Sequence, residues 1–545
     1  MLEPPETGTN TGTEPAASSV IAVTARGFGD DYPAEVDNAF VRAASVVLLM
    51  SLLVYVPWLI GHSNWSYPGV TWPFLLAHVL SLGALLLKVC TTWTRSVPPP
   101  RPVRDGAEPL VGIIIPTAGE PAAMVLRTVV SVLEQEWPTR RRIVLVSDDA
   151  HDPALRAALA PYPVLYHEPP DRYAPDRAGE GKAGNLNSAL DRLYELAPDV
   201  EYIETRDADD ELGSNSFLRL AVGQLVHDPS VAYVQTIKEA QVSAGDPFNN
   251  REPRFYRNLM LAKHHANAVF PCGSGLVWRR SALDEIGGFP TWNLVEDLQS
   301  GLEALRRGWR GVYLPIVGAV GQDVPEDVPK VIERRQRWAV DTVRLMVWAD
   351  RRGLTVKQNA HFASMLLDYV TAFCTFVYVG VVIAALAGHS PVDDPNASAF
   401  LMILPFVLAN EAFLLATNQP FNDRRRRQRN PINDVWRARV VRTGLSPAYA
   451  SATVKAIVGG PRRKPVHRAA PREHARRWHW PQVVPHVLLL TTLLAAVFYS
   501  VANHTLMEPG TVAISLYFGC LYGGLTASFI ALSWHRPAPR SRDDR

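Results

Sequence analysis

Cysteine is nearly missing from this chain. Four occur in 545 residues, Cys90, Cys272, Cys374 and Cys520, and none forms a C-x-x-C pair, so neither a disulfide framework nor a thiolate metal site is expected. A surplus of charge is missing too. The 55 Lys and Arg against 53 Asp and Glu leave a formal net charge of +2, which argues against a nucleic-acid-coating protein, and 47% hydrophobic residues argue against a disordered one. No G-x-G-x-x-G opens a helix after the first strand of the polar middle, and no G-x-x-x-x-G-K-[ST] occurs. A Rossmann dinucleotide site and an ATPase P-loop both lose support. Residues 1–41 lack a basic start and a cleavage site and are rich in Pro, Gly and Thr, so they read as a flexible tail rather than a signal peptide.

Long apolar runs, in contrast, are plentiful. "AASVVLLMSLLVYVPWLI" at 43–60 and "VTWPFLLAHVLSLGALLLKVC" at 70–90 form a closely spaced pair, and four more runs begin at 362, 399, 481 and 510. Each reaches or nears the roughly 20 residues a membrane-spanning helix needs, which predicts about six spans. Arg95, Arg101 and Arg104 follow the second span, an arginine-rich stretch beginning at Asp423 follows the fourth, and Arg536, Arg540, Arg542 and Arg545 follow the sixth; linkers 61–69, 388–398 and 504–509 hold no Lys or Arg. Under the positive-inside rule the polar middle, the basic loops and both termini face the cytoplasm, and the protein sits in the plasma membrane. The expected organisation is a tail at 1–41, a transmembrane hairpin at 42–94, a cytoplasmic catalytic domain at 95–330 and an interface segment at 331–360. Two spans follow at 361–418, a cytoplasmic interface region at 419–480, two further spans at 481–535 and a basic tail at 536–545. Short helices near 254–268 and 433–457 mix basic and apolar residues, as helices lying against the membrane do.

Between 109 and about 320 strands alternate with helices: "LVGIIIPT" is a continuous apolar strand, "PAAMVLRTVVSVLEQ" a helix with an apolar stripe, and "RRIVLVSDDA" a second strand. This pattern implies a parallel α/β sheet with ligands at the carboxyl ends of its strands. Acids gather at such ends. Asp148 and Asp149 close one strand; Asp207 and Asp209, in "EYIETRDADDELGSN", close another and point the same way because side chains alternate along a strand. Two converging carboxylates suit a hard divalent cation carrying phosphates, Mg²⁺ or Mn²⁺. Glu296 and Asp297 precede a helix with Leu298, Leu302 and Leu305 in its apolar stripe, and acids there also favour the helix start. In "PKVIERRQRWAV", Trp338 stands beside Arg334, Arg335 and Arg337, a flat apolar surface among cations.

Taken in order, these motifs resemble processive family 2 glycosyltransferases of the cellulose, chitin and hyaluronan synthase type, over roughly residues 45–535. The resemblance implies an α/β GT-A catalytic domain fused to the helical membrane domain. "PTAGE" at 116–120 and "SDDA" at 147–150 resemble the uridine-binding parts of that family, suggesting donor contacts from Thr117, Glu120, Asp148 and Asp149. "GKAGNLNSAL" at 181–190 resembles a family signature that puts Lys182 and Asn185 near the nucleotide. "DAD" at 207–209 stands for the D-x-D motif, with Asp209, aided by Asp207, on the metal diphosphate. "FPCGSGLVWRR" at 270–280 resembles the acceptor loop, with Cys272, Gly273 and Ser274, and "VED" at 295–297 nominates Asp297 as general base beside Glu296. The family's Q-x-x-R-W becomes "RRQRW", with Arg337 and Trp338 in register and Arg334 where glutamine is usual. Segment 467–474, "HRAAPREH", falls where cellulose synthases carry a gating loop, with His467, Ala469, Ala470 and Arg472 in place of its Phe, Val, Thr and Lys.

The family relationship further implies inverting transfer from a nucleotide sugar. UDP-glucose leads, followed by UDP-N-acetylglucosamine and GDP-mannose. The spans would act as a conduit for the growing polysaccharide, with membrane lipid and accessory export proteins as partners. Trp534 stands eleven residues before Arg545, so no cyclic-di-GMP-binding barrel is expected. Two rivals remain, a non-processive transferase acting on a lipid-linked or short acceptor and a transporter or channel with a soluble regulatory domain.

Overall fold

The computed structural model describes residues 36–171, 174–175, 177–242, 245–393, 397–418, 431–462, 480–505 and 509–534. The stretch beginning at Asp423, the segment 467–474 that falls where cellulose synthases carry a gating loop, most of the N-terminal tail and the C-terminal basic tail lie outside the described residues.

The polar middle folds around one eight-stranded sheet. Its strands are β1 (Val111–Thr117), β2 (Arg142–Asp148), β3 (Leu165–His167), β4 (Tyr202–Thr205), β5 (Asp210–Leu212), β6 (Val231–Ala240), β7 (Leu276–Arg279) and β8 (Arg310–Gly321), in the spatial order β3-β2-β1-β4-β7-β6-β8-β5. The parallel sheet expected from the alternating pattern is present at β3-β2-β1-β4 and at β6-β8, but β7 runs antiparallel to both β4 and β6, and β5 antiparallel to β8. The sheet is therefore mixed. β1 is buried along its whole length because both its faces are covered: Ile113 and Ile115 join one buried cluster with Val144 and Val146, while Ile114 joins another with Leu145 and Ile203. The period of two sorts neighbouring residues to opposite faces.

This is a multi-pass membrane protein. Five helices are long and apolar enough to cross a membrane, Ala39–Gly61, Pro68–Thr92, Ala399–Thr417, Gln482–Ala502 and Ser515–Leu532. The run beginning at 362, expected as one uninterrupted span, is a pair of helices, Val356–Val370 and Ala372–Leu386, meeting at a 43° bend. Neither proline nor glycine stands at the break. Instead the Thr371 hydroxyl donates back to the Leu367 carbonyl at 2.6 Å and accepts from the Arg442 guanidinium at 2.7 Å, a local bond of the kind that bends helices.

Two helices follow the fourth span, Pro431–Gly444 and Ser446–Gly459, where one interfacial helix was expected. The first is bound to the spans by ion pairs, Arg439 with Glu411 at 2.6 Å and Arg442 with Asp368 at 3.3 Å; Asp368 also pairs with Lys88. The second packs against the catalytic side, where the Trp348 indole N–H donates to the Ala456 carbonyl at 3.1 Å. Near 254–268, a π-helical turn, Phe255–Leu259, runs into Met260–His265.

Candidate active site

The acids after β4 sit on a turn held from beneath by a buried ion pair. Arg206 and Glu204 are both fully buried, 2.6 Å apart, and Arg206 also donates to the carbonyls of Glu211 at 3.1 Å and Gly318 at 3.0 Å. Those bonds tie the turn to β5 and β8. Leaving Glu204 charged and unpaired is costly, so Arg206→Met is expected to lose about 3–5 kcal/mol of stability, measurable by thermal unfolding of the purified chain.

Above that anchor, ligand oxygens of Asp207, Asp209 and Asp210 lie within 4.8 Å of one another. Such a set of hard oxygen donors fits Mg²⁺ or Mn²⁺. Two lysines reach the same acids. Lys182 Nζ lies 2.5 Å from Asp207 Oδ1 and 3.2 Å from Glu296, while Lys238 Nζ bridges Asp207 Oδ2 at 2.7 Å and Asp210 Oδ2 at 2.6 Å. Burial alone would raise the Asp207 carboxyl, but the two ammonium groups hold it well below the usual carboxylate range. Asp209 makes no ion pair among the described residues, and burial together with the charge of Asp210 pushes it up to about 7.

Across the loop of Cys272, Gly273 and Ser274, Asp297 stands in the first turn of the helix Glu296–Arg306, its Oδ1 accepting from the Leu298 amide at 2.7 Å. Burial, reinforced by Glu296, raises it to about 7. Gly273 joins the two groups of acids. It has a φ of +84°, and a Cβ there would come 3.1 Å from Lys182 Nζ, 3.2 Å from Asp297 Oδ2 and 3.9 Å from Asp207 Oδ2. Only glycine leaves this point open at that backbone angle. Ser274 Oγ accepts from the Asp207 amide at 3.2 Å, and the Cys272 amide donates to Gln235 at 2.7 Å. Burial raises the Cys272 thiol well above its usual range.

The residues proposed for the base lie at the ends of β1 and β2. Thr117 donates to Glu120 at 2.7 Å. Asp148 is fully buried and spends its carboxylate on the amides of Ala150 and Asp152 and the Tyr166 hydroxyl, whereas Asp149 pairs with Arg177 at 2.8 Å. Asn185 is sealed in, its amide donating to the carbonyls of Thr117 at 3.1 Å and Ser147 at 3.0 Å. In this structure it clamps the two strand ends that carry the candidate base contacts.

The "RRQRW" residues lie on the helix Val328–Trp348. A cavity beside Asp209 is bordered by Lys238, Glu252, Tyr256, Arg334 and Trp338. The guanidinium groups of Arg334 and Arg335 lie 5.0 and 5.2 Å from the centre of the Trp338 ring, and Arg335 is paired with Glu252 at 2.5 Å. Arg337 is exposed and does not border that cavity.

Residues 112–287 match the family model described as "Glycosyl transferase family 2", and residues 202–414 the one described as "Glycosyl transferase family group 2". Residues 112–287 thus form a glycosyltransferase family 2 domain. The chain is similar to the UDP-forming cellulose synthase catalytic subunits of Komagataeibacter sucrofermentans (29% identical over 367 residues, 64% of this chain and 46% of that protein) and Xanthomonas axonopodis pv. citri (30% over 288 residues, 50% and 37%). The same subunit of Pseudomonas fluorescens is 27% identical over 403 residues, 70% of this chain and 52% of that protein. The chain thus spans about half or less of the length of these relatives. A solved mannosyltransferase of Pyrobaculum calidifontis, in complex with GDP-Man and Mn²⁺, matches in fold with a TM-score of 0.50 and 21% identity, over 71% of this chain and 99% of that one. The mixed sheet accordingly has the GT-A fold.

Sequence reasoning had not singled out Asp210 or Lys238 as site residues. Asp210 stood in the quoted acidic run, and its place one residue past the D-x-D pair was the available signal. Lys238 gave none, since sheet order alone brings β6 beside β8 and the turn before β5.

Proposed function

We propose that this protein is a metal-dependent, inverting β-glycosyltransferase that polymerises sugar from a nucleotide donor, UDP-glucose first among the candidates, and passes the product through its membrane helices. The observation that carries the reading is the convergence of Lys182, Asp207 and Asp297 on the open point above Gly273. A base and a diphosphate site must lie this close for one sugar carbon to meet both. Asp207, Asp209 and Asp210 would hold the cation, which when bound neutralises the departing diphosphate. Lys182 is placed to contact the same phosphates. Asp297 takes the proton from the acceptor hydroxyl, the freed oxygen bonds to the anomeric carbon, and the bond from that carbon to the diphosphate breaks on the opposite face. An α-linked donor thus yields a β-glycoside. Membrane spans beside such a site suit a product too polar to cross lipid unaided, and the cytoplasm, where nucleotide sugars are made, is the side proposed for the catalytic domain.

The test is incubation of the purified full chain with radiolabelled UDP-glucose, UDP-N-acetylglucosamine and GDP-mannose in parallel, followed by product sizing and linkage-specific digestion. A high-mass β-linked polymer from UDP-glucose is expected. A short lipid-soluble product would replace the polymerase with a transferase acting on a lipid carrier, and no turnover of any donor would overturn the enzymatic reading. Trp338→Ala is expected to shorten the product at matched turnover and leave donor affinity within about threefold, because stacking is worth only about 0.5–1.5 kcal/mol beyond area burial. An unchanged chain-length distribution would remove Trp338 from the acceptor path.

A further inference from the structure

We infer that Lys238 keeps the acidic cluster closed to a divalent cation until a nucleoside diphosphate arrives, so that cation and donor bind together rather than cation first. The inference rests on the proposed transferase reading and concerns how its site loads.

The geometry is specific. The Lys238 ammonium lies between the Asp207 and Asp210 carboxylates at 2.7 and 2.6 Å, and ligand oxygens of these two acids and Asp209 are the ones close enough to share a cation. The ammonium and the cation therefore compete for the same oxygens. Lys238 cannot simply swing away, because Asp210 is fully buried and, among the described residues, its oxygens accept no hydrogen bond apart from that ammonium contact. Removing Lys238 from Asp210 would strand a buried charge, which is expensive. A cation entering through Asp209 and Asp207 would thus sit a few ångströms from a fixed positive charge, with Lys182 on the other side of Asp207 at 2.5 Å.

A diphosphate reverses this balance. Its oxygens offer Lys238 and Lys182 new partners when Asp207 turns to the cation, and its negative charge cancels the repulsion between the ammonium groups and the metal. Along the cavity wall, Glu239 on the same strand as Lys238 and Glu252 from the segment after it are both engaged by arginines, Glu239 with Arg257 at 2.9 Å and Glu252 with Arg335 at 2.5 Å, and Asp323 also borders the cavity. Arg334 adds further positive charge beside Asp209.

The experiment is direct Mn²⁺ binding to the full-length protein in detergent, followed by electron paramagnetic resonance, with and without UDP. UDP binding is measured separately by calorimetry, and folding of each variant is checked by thermal unfolding. For the unmodified protein, UDP is expected to tighten Mn²⁺ binding at least about tenfold. Without UDP, Lys238→Gln is expected to bind Mn²⁺ at least about tenfold more tightly than the unmodified protein, since a unit charge this close acts strongly in a part-buried site, and its response to UDP should shrink. Lys238→Arg keeps the charge and should behave as the unmodified protein does. Equal or weaker Mn²⁺ binding by folded Lys238→Gln without UDP would overturn the inference and make Lys238 an aligning group for the acids. Failure of UDP to bind at all would instead defeat the transferase reading, so the two failures are distinguishable. Should Lys238→Gln not fold, the unmodified protein decides: Mn²⁺ affinity unaffected by UDP overturns the inference.

Discussion

Asp297→Asn is expected to bind donor with the affinity of the unmodified protein while losing transfer by roughly a hundredfold to ten-thousandfold, the usual range for removal of a general base. The amide keeps the shape of the side chain and its contact with the Leu298 amide but cannot take a proton. The pH dependence follows from the same group. Burial and Glu296 raise its carboxyl to about 7, and the base works only when deprotonated. The rate of the unmodified protein should therefore fall as pH drops through about 7, and the residual rate of Asp297→Asn should not follow that curve. Calorimetry with the donor and initial rates across the pH range check both parts. Collapse of donor affinity in Asp297→Asn would assign Asp297 to the nucleotide site instead.

Asp209→Ala is expected to abolish turnover, with a loss of roughly a hundredfold or more, the scale seen when one electrostatic contact to the developing charge is removed. Among the clustered acids it is the one that lysine leaves unpaired; Asp207 and Asp210 both answer to Lys238. Initial rates over a Mn²⁺ and Mg²⁺ series, with an arm in excess EDTA, provide the measurement. Full activity in EDTA, or a fully active Asp209→Ala protein, would contradict the assignment.

The features legible in the sequence were those that repeat locally. Asp207 and Asp209 stood out because a spacing of two at a strand end puts both side chains on one side, and the apolar runs declared themselves by length. What escaped is set by long-range order. β7 is four residues, Leu276–Arg279, too short to announce an antiparallel direction inside an otherwise βαβ-like pattern. The bend at Thr371 comes from a hydroxyl and an arginine 71 positions later in the chain, with no proline or glycine to mark it. Asn185 belongs to a motif that suggests the nucleotide, yet its bonds to Thr117 and Ser147 depend on how closely one helix approaches two strand ends. Trp338 reads as an open stacking surface until the guanidinium groups of Arg334 and Arg335 are seen near its ring.

The ion pairs of the helix Pro431–Gly444 also bear on how the protein is made. Asp368 and Glu411 lie in apolar helices that precede Arg439 and Arg442 in the chain, so the carboxylates leave the ribosome before their arginine partners do. A lone carboxylate at the centre of a span costs about 2.5–3.5 kcal/mol on insertion scales. Lys88, made earlier, is available to Asp368 at once, but Glu411 has to wait for Arg439. The fourth span is therefore expected to settle at its final depth only after the helix that follows it has emerged from the ribosome and folded back. Biogenesis of this membrane domain is in that respect retroactive: a later segment completes the insertion of an earlier one.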